Sequence, residues 1–166
     1  MAELSVRERL QPSLLDRLTD DEPKKNLESR ERRVISLERL RECVLRDLGW
    51  LLNTGKLSQL EDLTAHPHVA QSVLNYGMPD LSGKIVSMPD VFELERAVRQ
   101  AIWDFEPRIL RDTVKVHATM TADKMSTSAL AFEIEGMLWA QPMPMRMFLK
   151  TEVDLETGHV EVIEQL

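Results

Sequence analysis

The sequence predicts an α+β fold, with N-terminal helices packed on one face of a small, mainly antiparallel C-terminal β-sheet. Three observations carry this. Up to Pro107 the apolar residues recur every three or four positions, the period of one helix face. Beyond Pro107 they alternate with polar residues, the period of a half-buried strand. The alternating segments are joined by short connections, which favour an antiparallel meander, and helices followed by strands is the α+β order. No internal repeat or low-complexity segment interrupts the pattern.

The first 33 residues read as an arm with a short helix and a basic linker, and residues 34–166 as a single domain. Pro12 and Ser13 open the arm helix, Leu14, Leu15 and Leu18 form a small apolar stripe, and Asp21-Glu22-Pro23 closes it. A stripe this short is not stable alone in water, so it is expected to dock on the domain. From Ser36 to Asn53 the positions Leu37, Leu40, Val44, Leu48, Leu51 and Leu52 make the clearest helix. Ser36 is its N-cap, Ile35 a staple, and Asn53-Thr54-Gly55 its stop. A shorter helix is expected from Pro67 through Val69, Val73 and Leu74 to Gly77, followed by a loop over Pro79 to Gly83. A third starts near Ser87, presents Val91, Leu94, Val98, Ala101, Ile102 and Phe105, and stops at Glu106 because Pro107 disfavours a helical residue before it. The strands follow around Val114 to Ala118, Leu130 to Leu138, Met147 to Leu155 and Val160 to Ile163, with Glu156-Thr157-Gly158-His159 as a hairpin turn.

Composition narrows the function. The 166 residues hold 28 acids against 21 Lys and Arg, a net charge of −7, which disfavours nucleic acid as the main partner. The charge is unevenly placed: Lys24, Lys25, Arg30, Arg32 and Arg33 make a basic stretch, and Glu152, Asp154, Glu156, Glu161 and Glu164 an acidic end. These are read either as solvated surface or as surfaces for different partners. One cysteine and no apolar leader or membrane span point to the cytoplasm.

The search for chemistry is largely negative. No phosphate-cradling glycine pattern, HExxH or paired CxxC is present, and Cys43 reads as a small core residue. His66-Pro67-His68 lacks a third ligand for zinc, so no cofactor or metal is expected. A glycosidase needs two acids about 5–10 Å apart in a cleft lined by rings. Of the three Trp, one Tyr and four Phe, only Trp139 reads as an exposed ring, so no catalytic residue is assigned. The most unusual local feature is Phe105-Glu106-Pro107-Arg108 at the helix-to-strand junction. It reads as a rigid elbow with a fixed acid and base, either satisfying nearby backbone groups or presenting a docking point for a carboxylate-bearing partner.

Four motifs in order, Pro12 to Leu18, Arg46 to Thr54 with its Asp-Leu-Gly-Trp run, Ser72 to Leu81, and Glu106-Pro107-Arg108, resemble TssE, the type VI secretion baseplate family related to the lysozyme-like wedge proteins of contractile phage tails. The likeness spans residues 10 to 160. It implies a sheet akin to that of the contractile sheath proteins and a non-enzymatic role. The chain would connect the wedge subunits TssF, TssG and TssK to the sheath proteins TssB and TssC and template the first sheath ring, at a baseplate docked on the bacterial inner-membrane complex. It also implies that Glu106, Pro107 and Arg108 serve sheath attachment. Two other readings stay open: a lysozyme-like peptidoglycan hydrolase, and a regulatory module suggested by likeness to a stress-response anti-adaptor. Gly49 departs from good helix chemistry, which close packing would explain. Charge reversal at Arg108 is expected to stop sheath assembly while leaving the domain folded.

Overall fold

The computed structural model describes residues 13–19, 24, 36–79, 88–121, 129–139, 144–154 and 157–164. Among these residues four α-helices, α1 (Leu14–Leu18), α2 (Leu37–Leu52), α3 (Pro67–Ala70) and α4 (Met88–Phe105), precede four strands, β1 (Lys115–Thr121), β2 (Ala129–Leu138), β3 (Met145–Val153) and β4 (Val160–Glu164). The strands form one antiparallel sheet in the order β1-β2-β3-β4, so the chain is α+β as its periodicity predicts.

Local chemistry accounts for the two long helices. The Ser36 hydroxyl accepts from Arg39 N at 3.1 Å at the start of α2, and Leu40, Cys43, Val44, Leu48, Leu51 and Leu52 are its buried stripe. In α4, Val91, Leu94, Val98, Ala101 and Ile102 are buried. The two helices lie over one sheet face, α4 against β1 and α2 against β4. There they enclose Val116, Leu130, Phe132, Ile134, Leu138, Met147, Leu149 and Val153. The opposite sheet face carries His117, Glu133, Lys150 and Ile163 in one cross-strand row and is left to solvent. The last hairpin closes through Asp154 N to His159 O at 2.9 Å with Gly158 at φ +73°.

Several expectations need correcting. The helix expected from Pro67 to Gly77 is broken: α3 ends at Ala70 and a 3-10 turn occupies Val73–Asn75. Side chains displace the backbone bonds here, since the Ser72 hydroxyl caps Leu74 N and the buried Asn75 amide donates to Ala70 O while accepting from Ser58 N. Gly77 then turns at φ +119°, letting Met78 N reach Thr54 O at 2.7 Å. The α1 stripe does not pack inward. Leu14 and Leu18 are 70% and 73% exposed, and the helix is held by polar contacts instead. Trp50 and Phe92 join Trp139 as exposed rings, Trp50 lying 4.9 Å beneath the Arg46 guanidinium rather than in the core. A Cβ on Gly49 would meet no atom within 4 Å, so close packing is not the reason for that glycine. Ile35, the loop from Asp80 to Gly83, and the basic linker beyond Lys24 lie outside the described residues.

Candidate functional site

The elbow follows α4 directly. Glu106 N closes the last turn on Ile102 O at 2.9 Å, Pro107 turns the chain outward, and Ile109 bridges to Leu138 at the end of β2. Trp139 N donates to Arg108 O and Leu110 N to Met137 O, so the elbow continues the β1 edge of the sheet. Gly136 is required where this segment crosses β2, because a Cβ there would lie 2.8 Å from Ile109 Cγ2.

The structure brings Glu106 and Arg108 together and leaves Pro107 exposed between them. Glu106 is 3% exposed, and both its oxygens are taken by Arg108: Nε donates to Oε1 at 2.7 Å and Nη2 to Oε2 at 2.5 Å. The Arg108 backbone N–H adds a third bond to Oε1 at 3.1 Å. The acid thus meets the first local reading in part, accepting from one backbone N–H, and its remaining bonds come from the guanidinium of the same elbow. Phe105 is half-buried and meets Tyr76 edge-on at 5.1 Å, which fixes the elbow against the 72–79 segment.

Sequence reasoning assigned no role to Asp47. This residue lies on the shoulder of α2, beside the buried Leu48, and its Oδ2 accepts from Arg108 Nη2 at 2.5 Å. Its Oδ1 accepts from Arg46 Nε at 2.9 Å, and Arg46 Nη1 donates to Asp16 Oδ1 on α1 at 2.8 Å. A chain of alternating charges, Asp16, Arg46, Asp47, Arg108 and Glu106, thus ties the arm, α2 and the elbow into one unit. Its sequence signals were an acid at the edge of an apolar stripe, next to a base, and its place in the Asp-Leu-Gly-Trp run.

The electrostatics follow from this packing. Burial opposes the Arg108 charge, but the carboxylates of Glu106 and Asp47 outweigh it and hold the guanidinium protonated well beyond the usual arginine range. Burial likewise opposes the Asp16 charge, and hydrogen bonds from Ser13 and Arg46 outweigh it, keeping its carboxyl below the ordinary value. Cys43, buried beneath Asp16, has its thiol pushed up by burial and then by that carboxylate. Charge reversal at Arg108 would set a third carboxylate against Glu106 and Asp47, so it is expected to destabilise the domain as well as alter the elbow.

A cleft of about 530 Å³ opens beside the elbow, lined by Leu15, Trp50, Tyr76, Phe105 and Pro107. Arg108 Nη1 is buried here without a hydrogen-bond partner among the described residues. Among those residues no group of three His, Cys, Asp or Glu side chains could hold a metal ion, and no helix is long and apolar enough to cross a membrane.

No curated protein matches the chain. The sequence profile of the baseplate wedge protein gp25 family matches residues 38–143, from α2 through the elbow and β1 to the end of β2. That stretch is well over half of the chain and holds Asp47, Glu106 and Arg108. The chain therefore belongs to the baseplate wedge protein gp25 family, which is also the family of TssE, and shares its phage-baseplate-type structural role.

Proposed function

We propose that this chain is the wedge component of a type VI secretion baseplate, joining TssF, TssG and TssK and templating the first ring of the TssB–TssC sheath. It works on the cytoplasmic side, where the baseplate docks on the inner-membrane complex, and it is not an enzyme. Family membership supports the baseplate role. The observation that carries the finer reading is the elbow, where Arg108 joins Glu106 to Asp47 on α2 while its carbonyl accepts from Trp139 N at the end of β2. Both Glu106 oxygens are occupied, which suits a structural joint better than the proton donor a glycosidase requires. Pro107 is exposed at the cleft beside Trp50 and Tyr76, where an apolar segment of a partner can seat against the elbow.

The test is sheath extension in living cells carrying a fluorescent sheath subunit. Deleting the gene abolishes extended sheaths and the wild-type chain restores them. Arg108→Lys keeps the charge but loses the planar fork, and restores sheaths poorly while the purified protein stays folded. Sheaths extending at normal frequency without the gene would refute the templating role.

A further inference from the structure

The lobe from Thr54 to Pro79 reverses the usual arrangement of a surface loop. Its ends are tied, Met78 N donating to Thr54 O at 2.7 Å and Lys56 N to Met78 O at 3.0 Å. Its two 3-10 turns, Leu57–Gln59 and Val73–Asn75, are joined where Asn75 Oδ1 accepts from Ser58 N at 3.0 Å. The polar side chains of the second turn are spent on the lobe itself: Asn75 is buried, and the Ser72 hydroxyl accepts from Leu74 N at 3.2 Å and donates to Val69 O at 3.0 Å. The apolar ones go to solvent. Val73 is 77% and Leu74 66% exposed, and Leu60, just past the first turn, is 85% exposed. Leu60 and Val73 are the two most exposed large apolar side chains among the described residues. Single exposed leucines are ordinary, but three held on one closed lobe mark a contact surface.

The chemistry of the lobe specifies the occupant. The N–H groups of Leu60, Glu61, Asn75 and Tyr76 donate within the two turns, so contact is made through side chains rather than by a backbone ladder. Glu61 and Asp62 follow Leu60 directly and are both exposed, and Lys56 is the one Lys or Arg from 56 to 79. This acidic border selects a partner with Lys or Arg beside its apolar residues. A second copy meeting lobe to lobe sets the acids against themselves, and an anionic lipid surface is repelled by them. An amphipathic helix presents an apolar stripe and bordering bases as one rigid unit. The tied turns hold Leu60, Val73 and Leu74 in place before it arrives, which limits the ordering cost of binding.

We infer that Leu60, Val73 and Leu74, bordered by Glu61 and Asp62, form a docking surface for an amphipathic helix of another protein that carries Lys or Arg along the border of its apolar stripe. Assigning that helix to a wedge subunit rests on the reading proposed above; the surface and the chemistry of its partner do not. The test is site-specific photo-crosslinking of the full-length chain in cells, with the reactive residue at Gln59 or Gln71, both exposed beside the apolar three, and at exposed Glu93 on α4 as the control. Adducts from Gln59 and Gln71 map to one segment with apolar residues every three or four positions and Lys or Arg next to them. Glu61→Lys, and separately Leu60→Ser combined with Leu74→Ser, each lower the adduct yield about tenfold or more. These side chains are exposed, so the purified variants keep the wild-type melting temperature. The same segment and the same losses on a protein outside the wedge leave the surface standing and count against the proposed function. Adducts with a second copy of the chain, with lipid or with a segment lacking bases overturn the inference. So do an equal yield from Glu93, no adduct from either lobe position, or a yield that Glu61→Lys leaves unchanged.

Discussion

Replacing Arg108 by methionine keeps most of the aliphatic bulk and removes the guanidinium. Glu106, 3% exposed, then loses two of its three hydrogen bonds and its compensating charge, keeping only the Arg108 backbone N–H. Breaking a buried pair from one side costs about 3–5 kcal/mol, because the stranded charge has no water to turn to. Arg108 is itself 21% exposed, and Asp47 retains Arg46, so the lower end applies, about 3 kcal/mol. Against a stability of about 5–15 kcal/mol this is a large fraction. It lowers the melting temperature by about 6–12 °C in a chain of this size. Urea denaturation at pH 7 followed by circular dichroism measures it, with Glu106→Gln combined as the second corner of a cycle. The double variant no longer buries an unpaired charge and is more stable than Arg108→Met alone. A loss below about 1 kcal/mol for Arg108→Met with an unchanged denaturant slope, or a double variant less stable than the single one, refutes the reasoning.

Other expectations follow from individual residues. Gly77→Ala forces a side chain into a conformation at φ +119° with its Cβ on the Thr54 carbonyl, so it destabilises by about 2 kcal/mol or more by thermal melting, whereas Gly49→Ala meets open space and stabilises by up to about 1 kcal/mol. The Asp16 carboxyl is lowered, so its contribution to holding the arm is complete above its ordinary value of 3.8 and lost only as pH falls through the still lower folded value; carboxyl NMR reads this, and Arg46→Ala moves the titration upward. The Cys43 thiol is raised above 9.0, so its stabilising share is complete below that value and lost as pH rises through the folded value. Iodoacetamide labels it slowly at pH 8, and Asp16→Asn, which loosens the arm above it, speeds labelling.

Element types and order were legible because each rests on short-range pattern. The switch of period at Pro107, the Ser36 cap and the alternation of the four strands all survive in the fold. What escaped depends on side chains that meet far apart in sequence. The break after Ala70 is made by Asn75 reaching Ser58, and no periodicity within 67–77 encodes that partner. The outward leucines of α1 look like a docking stripe, yet the arm is held by Asp16 on Arg46, thirty positions away. At the elbow Glu106 and Arg108 were visible as neighbours. Asp47, which completes their charge balance from 61 positions away, was not. Burial is the reason this matters, since it turns an ordinary surface pair into a joint between helices and sheet.

The measurement that tests the central claim most directly is affinity capture of the tagged full-length chain from cells with an active secretion system, followed by mass spectrometry. A structural wedge role predicts that TssF, TssG and TssK are recovered together with TssB and TssC. Recovery of a response regulator in a one-to-one complex, with none of these five proteins, would contradict it.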